Sequence, residues 1–232
     1  MVEVEIKPHE KFEGVYWAIF EDGTKKPATE NLVPGHQVYG ERLVEYDGKE
    51  YRVWEPRRSK LAAMIMNGME HFPFEEGTTV LYLGAAAGTT PSHVSDIIKE
   101  SGIEYCVEFA SRMMQELIPV CEKRPNMVPI LGDATKPHGY APLVEQVDVI
   151  YQDIAQPKQA EVLADNAEAF LRPGGYGIIA IKARSIDVTK EPEEVFRDEE
   201  RKLEERGFEV LEVIDLEPYE KDHVGIVAEY QG

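Results

Sequence analysis

The stretch VLYLGAAAGTTPSHVSDI, Val80 to Ile97, constrains the fold more than any other part of the chain. An apolar, strand-like run stops at Gly84, small residues follow, and a helix-period pattern begins beyond Thr-Thr-Pro. A strand that passes through a glycine corner into a helix start is the opening turn of a parallel α/β sheet. Glycine there lets backbone approach a ligand closely. The loop lacks the Gly-Lys-Ser/Thr ending of a phosphate grip. It also has only Gly84 and Gly88 of the three glycines that a nicotinamide dinucleotide loop requires. Taken alone the loop is a weak signal, since a tight turn with no ligand is the alternative reading.

From Thr79 onward strands and helices alternate. TVLYL, IEYCVEF, NMVPILGD, VDVIYQD, YGIIAIKA, FEVLEVIDL and HVGIVAEY read as strands. SHVSDIIKE, SRMMQELIPVCEK, PKQAEVLADNAEAFL and EPEEVFRDEERKLEERG read as helices, and RPGG is expected to stop the third. In the second helix, Met114, Leu117, Ile118 and Cys121 are spaced to form one buried stripe. Continuous apolar strands joined by helices predict a seven-stranded, mostly parallel sheet covered on both faces. The last two strands have no helix between them, so one of them is expected to run antiparallel. Before this unit, residues 1–56 read as a small β-rich domain. Its hairpins are marked by Asp-Gly turns in FEDGTKK and EYDGKEY. Residues 57–232 form the second domain, and its first helix carries Leu61, Met64, Ile65 and Gly68 on one face.

Glu108, Asp133 and Asp153 close the second, third and fourth strands of that sheet. The carboxyl ends of parallel strands line one crevice, so all three acids face the ligand above the glycine loop. Glu108 is placed to accept hydrogen bonds from ribose hydroxyls and Asp133 from an adenine amino group. Asp153 would lie near a cationic centre, and Gln156 near the ligand's far end. A nucleoside that carries positive charge and no pyrophosphate meets these requirements, and S-adenosylmethionine is such a molecule. The fold class is therefore that of the Rossmann-like S-adenosylmethionine-dependent methyltransferases.

The formal charge is −19, from 44 acidic and 25 basic residues. Such a chain gains nothing from bulk electrostatics when it approaches RNA or DNA, so any nucleic-acid contact must be local or assisted. Arg57, Arg58, Lys60, Lys182 and Arg184 supply a local basic cluster. The acidic run KEPEEVFRDEERKLEER reads as a solvated helix face. Cys106 and Cys121 lie in apolar patterns and read as small buried hydrophobes, with no metal site expected. No apolar run reaches membrane-span length, and MVEVEIKPHEKF lacks a signal-peptide pattern, so a cytoplasmic location is expected.

The motifs VWEPRRSKLAA, LYLGAAAGTTPSHVSDI, VEFASR, DIAQPKQ, IKARSID and LEPYEKDHVGIV resemble, in order, the signatures of fibrillarin, particularly its archaeal form. The resemblance covers essentially the whole chain. It implies methyl transfer from S-adenosylmethionine to the ribose 2′-hydroxyl of rRNA, and of tRNA, at sites chosen by box C/D guide RNA. It further implies a Nop-family scaffold protein and a kink-turn-binding ribosomal-protein homologue as partners, and no DNA or membrane. Carried over position by position, the catalytic set falls on Lys60, Asp153, Lys182 and His223. The cofactor set falls on Gly84, Ala85, Ala86, Gly88, Thr89, Thr90, Glu108, Phe109, Asp133, Ala134, Asp153 and Gln156. Ala87 and Ala110 stand where the family often has serine. The eukaryotic Gly/Arg-rich tail is absent from this sequence.

In this reading Lys182, kept partly neutral by burial and by Lys60, accepts the hydroxyl proton. Asp153 orients Lys182, and His223 assists the hydroxyl or holds ribose. Two rival readings stay open at the level of sequence: a methyltransferase for protein side chains or small molecules, and a nucleoside-binding scaffold without activity. A dehydrogenase is disfavoured by the missing third glycine.

Overall fold

The computed structural model describes residues 3–232. The N-terminal region forms an antiparallel sheet of β1 (Glu5–Pro8), β2 (Tyr16–Ile19), β3 (Lys25–Glu30), β4 (Leu43–Tyr46) and β5 (Lys49–Val53). Their spatial order is β1-β2-β3-β5-β4. Asp22-Gly23 turns β2 into β3, and Asp47-Gly48 turns β4 into β5. Asp47 and Gly48 both take positive φ, as a two-residue primed turn demands.

A seven-stranded sheet follows, built from β6 (Thr79–Leu83), β7 (Ile103–Glu108), β8 (Met127–Leu131), β9 (Val147–Gln152), β10 (Leu171–Lys182), β11 (Phe208–Asp215) and β12 (His223–Tyr230). The order is β11-β12-β10-β9-β6-β7-β8, and β12 is the strand that runs antiparallel to its neighbours. The helices are α1 (Lys60–Met66), α2 (Thr89–Ile98), α3 (Ser111–Lys123), α4 (Gln159–Phe170), the single turn α5 (Ala183–Ile186) and α6 (Pro192–Glu205).

Strand periodicity shares the apolar residues between two cores. Val80 and Tyr82 join Cys106, Val149 and Ile178 beneath α1, α2 and α3. Leu81 and Leu83 join Val107, Ile150 and Ile179 beneath α4 and α6. Both faces of the sheet are therefore covered, which is why its strands read as unbroken hydrophobic runs. Both cysteines are free and buried in the first core.

α4 ends at Phe170, just ahead of RPGG, and β10 already begins at Leu171, with a register shift before Tyr176 absorbing the Pro-Gly-Gly irregularity. Three local expectations are corrected. Gly68 lies beyond α1 at φ +90, a conformation that ends the helix. Ile118 is exposed on α3. The acidic helix α6 is more than a solvated face, because its fully buried Glu199 accepts the Ala160 N–H at 2.9 Å and pairs with Lys202 at 2.7 Å.

The two sheets meet at a buried polar seam. Arg52 of β5 pairs with Glu41 at 2.8 Å and with Asp96 of α2 at 2.9 Å. Arg124 reaches the other oxygen of Asp96 at 2.6 Å, and Thr29 donates to Asp96 at 2.7 Å. His93 stacks on Trp54 and bridges Thr29 and Tyr39. Because Thr29 gives its hydroxyl proton to Asp96, His93 Nδ1–H donates to Thr29 and Nε2 accepts from Tyr39. Burial, with Arg52 and Arg124 nearby, holds the imidazole well below its ordinary pKa and therefore neutral.

Candidate functional site

A cavity of about 290 Å³ opens at the carboxyl edge of β6, β7, β8 and β9. Gly84, Ala86, Val107, Glu108, Phe109, Gly132, Asp133, Ala134, Thr135, Asp153, Ile154, Ala155 and Gln156 line it. Glu108, at the end of β7, receives the Ala86 N–H at 2.8 Å on one oxygen and the Ala110 N–H at 2.7 Å on the other. It therefore holds the glycine loop, where Ala86 takes φ +50, and retains acceptor capacity for hydroxyls. Asp133 is held below the ordinary carboxylate range by the hydroxyl and N–H of Thr135. Phe109 lies 74% exposed, an open aromatic ring.

The glycine corner is a matter of space as well as conformation. Gly84 takes φ +86, and a Cβ there would sit 2.1 Å from the Asp153 carbonyl oxygen. The loop and the end of β9 thus touch backbone to backbone, and Asp153 N–H donates to the Leu83 carbonyl at 3.0 Å.

These residues fit an S-adenosyl group. An acid stands for the ribose, a ring for the base and apolar Val107 and Ile154 for the walls. Among the described residues lining the cavity none is lysine or arginine, so no pyrophosphate grip is present. Among the described residues no cluster of His, Cys, Asp and Glu is placed to hold a metal ion.

Four residues of the expected cofactor set lie outside the lining. The Ala85 side chain belongs to the first core, and Gly88 backs onto Leu117 of α3. Thr89 and Thr90 are already helical, in the first turn of α2, and the Thr90 hydroxyl donates to Ser59 at 2.8 Å. Conversely, Val107, Gly132, Thr135, Ile154 and Ala155 line the cavity but were not singled out. Each flanks a residue that was, and their proximity to the strand ends was the available signal.

Asp153 also belongs to a second arrangement on the same edge. Lys60, the first residue of α1, donates to its Oδ2 at 2.8 Å, with side chains 23% and 31% exposed. Ser59 caps α1 and accepts from Trp54 and Thr90, which fixes where Lys60 starts. A cation at a helix N-terminus opposes the helix dipole, and Asp153 offsets it.

This pair corrects the expected roles. Asp153 is held by Lys60, and Lys182 does not reach it. Lys182 ends β10 with its side chain exposed, and among the described residues that side chain makes no hydrogen bond or ion pair. Its register partner in the sheet is His223, the first residue of β12. His223 is 7% exposed, and its Nδ1 lies 2.7 Å from the Lys221 carbonyl. A carbonyl only accepts, so Nδ1 carries a proton, which makes Nε2 the nitrogen that bears the lone pair of a neutral ring. The site therefore brings Lys60 to Asp153 and Lys182 to His223, with Asp153 shared by the cavity.

The sequence model of fibrillarin matches residues 6–232. The chain belongs to the fibrillarin family. It is 94% identical over all 232 residues, 100% of both chains, to the fibrillarin-like rRNA/tRNA 2′-O-methyltransferase of Methanopyrus kandleri. The Aeropyrum pernix fibrillarin, solved with natively bound S-adenosyl-L-methionine, superimposes with a TM-score of 0.92 at 52% identity, covering 98% of this chain and 100% of that one. The fibrillarin of a fibrillarin/Nop5p complex does so with a TM-score of 0.81 at 44% identity, covering 88% of this chain and 94% of that one. The fold, with its antiparallel N-terminal sheet and mostly parallel seven-stranded sheet, is that of fibrillarin and of S-adenosylmethionine-dependent methyltransferases.

Proposed function

We propose that this fibrillarin transfers a methyl group from S-adenosylmethionine to the ribose 2′-hydroxyl of rRNA and tRNA, at sites chosen by box C/D guide RNA. A Nop-family scaffold and a kink-turn-binding ribosomal-protein homologue complete the particle, which we place in the cytoplasm. One observation carries the reading: the Lys60–Asp153 pair stands at the edge of the cavity that Glu108 and Asp133 line and shares Asp153 with it. A protein side-chain acceptor would not call for the cations gathered on that edge, and a silent scaffold would not call for a paired acid beside the cavity.

Glu108 would hold the ribose of the cofactor, Asp133 its base and Gln156 its amino-acid end. Bound there, S-adenosylmethionine supplies an electrophilic methyl group. The acceptor hydroxyl is a poor nucleophile, so alignment matters most. Positioning contributes roughly 7–11 kcal/mol in favourable cases. Lys60 holds Asp153, which orients the hydroxyl. His223 Nε2, with its lone pair free, accepts the hydroxyl proton, while Lys182 places positive charge beside the developing oxyanion.

The test is transfer from labelled cofactor to target RNA, with particle components added one at a time. Transfer that requires guide RNA and scaffold is expected; equal transfer without them would defeat guide-directed recognition. In single-turnover measurements Lys182→Arg should keep most of the rate that Lys182→Ala loses, because guanidinium preserves the charge but cannot take up a proton. Equal losses would return the proton-accepting role to Lys182.

A further inference from the structure

Part of the exposed positive charge in this −19 chain is neutralised locally: Lys49, Lys99, Arg172, Arg201 and Arg206 each form an ion pair. Arg57 and Arg58 are among the exposed cations that do not. Both are exposed, and among the described residues neither has a carboxylate within ion-pair distance. Glu55, the acid of the same turn, is taken by Lys26 at 2.8 Å.

Neither arginine is loose. The Arg57 guanidinium lies 5.5 Å from the Tyr219 ring centroid and donates to the Pro218 carbonyl at 3.3 Å. The Arg58 guanidinium lies 5.4 Å from the Tyr39 ring centroid. Tyr39 is fixed in turn by donating to His93 and by accepting from the Glu55 N–H at 3.3 Å, and Tyr219 packs on the first core. An aromatic face holds a guanidinium in place while leaving its edge N–H groups free. Two such forks, set in consecutive positions immediately before Ser59 and Lys60, match the anionic oxygens of a nucleic-acid backbone. Arg184 makes the contrast, because Asp222 already pairs with it at 3.3 Å.

We propose that Arg57 and Arg58 grip neighbouring backbone phosphates of the RNA strand that carries the target ribose, setting the register that brings its 2′-hydroxyl to the Lys60–Asp153 edge. The inference rests on the function proposed above. It assigns to the tyrosine-backed arginines the strand contact that the chain's net charge opposes elsewhere.

The experiment uses the particle reconstituted from full-length protein, guide RNA and scaffold, with a fluorescent target RNA. Anisotropy reads the target Kd across a salt series, and single-turnover methylation reads the rate. Arg57→Ala and Arg58→Ala should each weaken target binding about tenfold or more, as loss of a charged hydrogen bond does. Each should also reduce the slope of log affinity against log salt by roughly 0.7, the value for one single-strand phosphate. Tyr219→Leu should weaken binding less and keep the slope, since the charge remains. Arg172→Ala, on the opposite edge of the sheet, should alter neither quantity. Unchanged affinity and slope in both arginine variants would overturn the proposal. So would a loss confined to the methylation rate, or an equal effect of Arg172→Ala. Failure of the catalytic reading shows elsewhere: Lys60→Ala and Asp153→Ala would then leave the methylation rate intact whatever the arginines do to Kd.

Discussion

The seam between the sheets and the edge above the cavity each rest on an arginine- or lysine-to-aspartate pair, and the two are built in opposite ways. At the seam, Asp96 takes bonds from Arg52, Arg124, Thr29 and the Leu32 N–H, and the ion-pair side chains are sealed from solvent. At the edge, among the described residues, the Asp153 carboxylate has Lys60 as its one partner, and both remain partly exposed beside Lys182, whose side chain has none. A saturated, sealed pair has no capacity left for a substrate, so its contribution is to structure. A half-open pair with spare acceptors contributes little to stability and is available for chemistry.

Breaking the open pair should show the largest effect and only in rate. Asp153→Asn is expected to slow single-turnover methylation about 10²-fold, the cost of a misplaced reactant. Its Tm should stay close to that of the parent chain, because an exposed pair of this kind is worth about 0–1 kcal/mol. A large drop in Tm would erase the contrast between the two sites.

At the seam the expectation reverses. Asp96→Ala strands two buried guanidiniums and should cost about 3–5 kcal/mol of stability, read from denaturant unfolding. Below its lowered melting temperature, the protein should keep its cofactor affinity. Lost affinity in the folded variant would mean that the seam reaches the site.

Glu108 tests the border between the two kinds of residue, since it both holds the loop and faces the cavity. Glu108→Gln keeps the shape, but one amide end can no longer accept from Ala86 or Ala110. Calorimetry should find cofactor affinity down about tenfold, in line with a charged hydrogen bond. Unchanged affinity would remove Glu108 from the ligand's contacts.

The smallest effect is expected at Glu104, fully buried on β7, where neither carboxyl oxygen has a hydrogen-bond partner among the described residues. Burial pushes its pKa well above the ordinary value, with the Cys121 side adding to this and Arg124 opposing it. The folded state therefore holds this proton more tightly than the unfolded chain. That contribution is complete below the ordinary carboxyl pKa and is lost as pH rises toward the folded value. Glu104→Gln should match the parent near pH 4 and become relatively more stable as pH rises, compared by unfolding midpoints. A pH-independent difference would show that Glu104 is ionised in the fold.

Much of this was legible in the sequence, for identifiable reasons. Alternating periodicity reports which residues are buried, so the strands, their helices and the Asp-Gly hairpins could be read directly. Strand-end acids follow from topology, which is why Glu108, Asp133 and Asp153 were found together. Side-chain direction does not follow from topology. Lys182 and Asp153 end neighbouring strands, yet Lys60, brought in from α1, takes the carboxylate. The seam was hidden for a similar reason: Arg52, Asp96 and Arg124 come from separate segments, and no local spacing joins them. Glu104 was concealed inside IEYCVEF, where a lone acid in an apolar strand gives no sign of its partners.

The contact at Gly84 has an evolutionary consequence. Any side chain at this position would have to displace the backbone that carries Asp153, so a change made for the cofactor is inherited at once by the reacting carboxylate. Drift that tunes one without the other is closed at this position. A chain of this design that is diversified to accept a bulkier methyl donor will find its tolerated changes at Ile154, Ala155 or Gln156, while position 84 stays glycine in every active descendant.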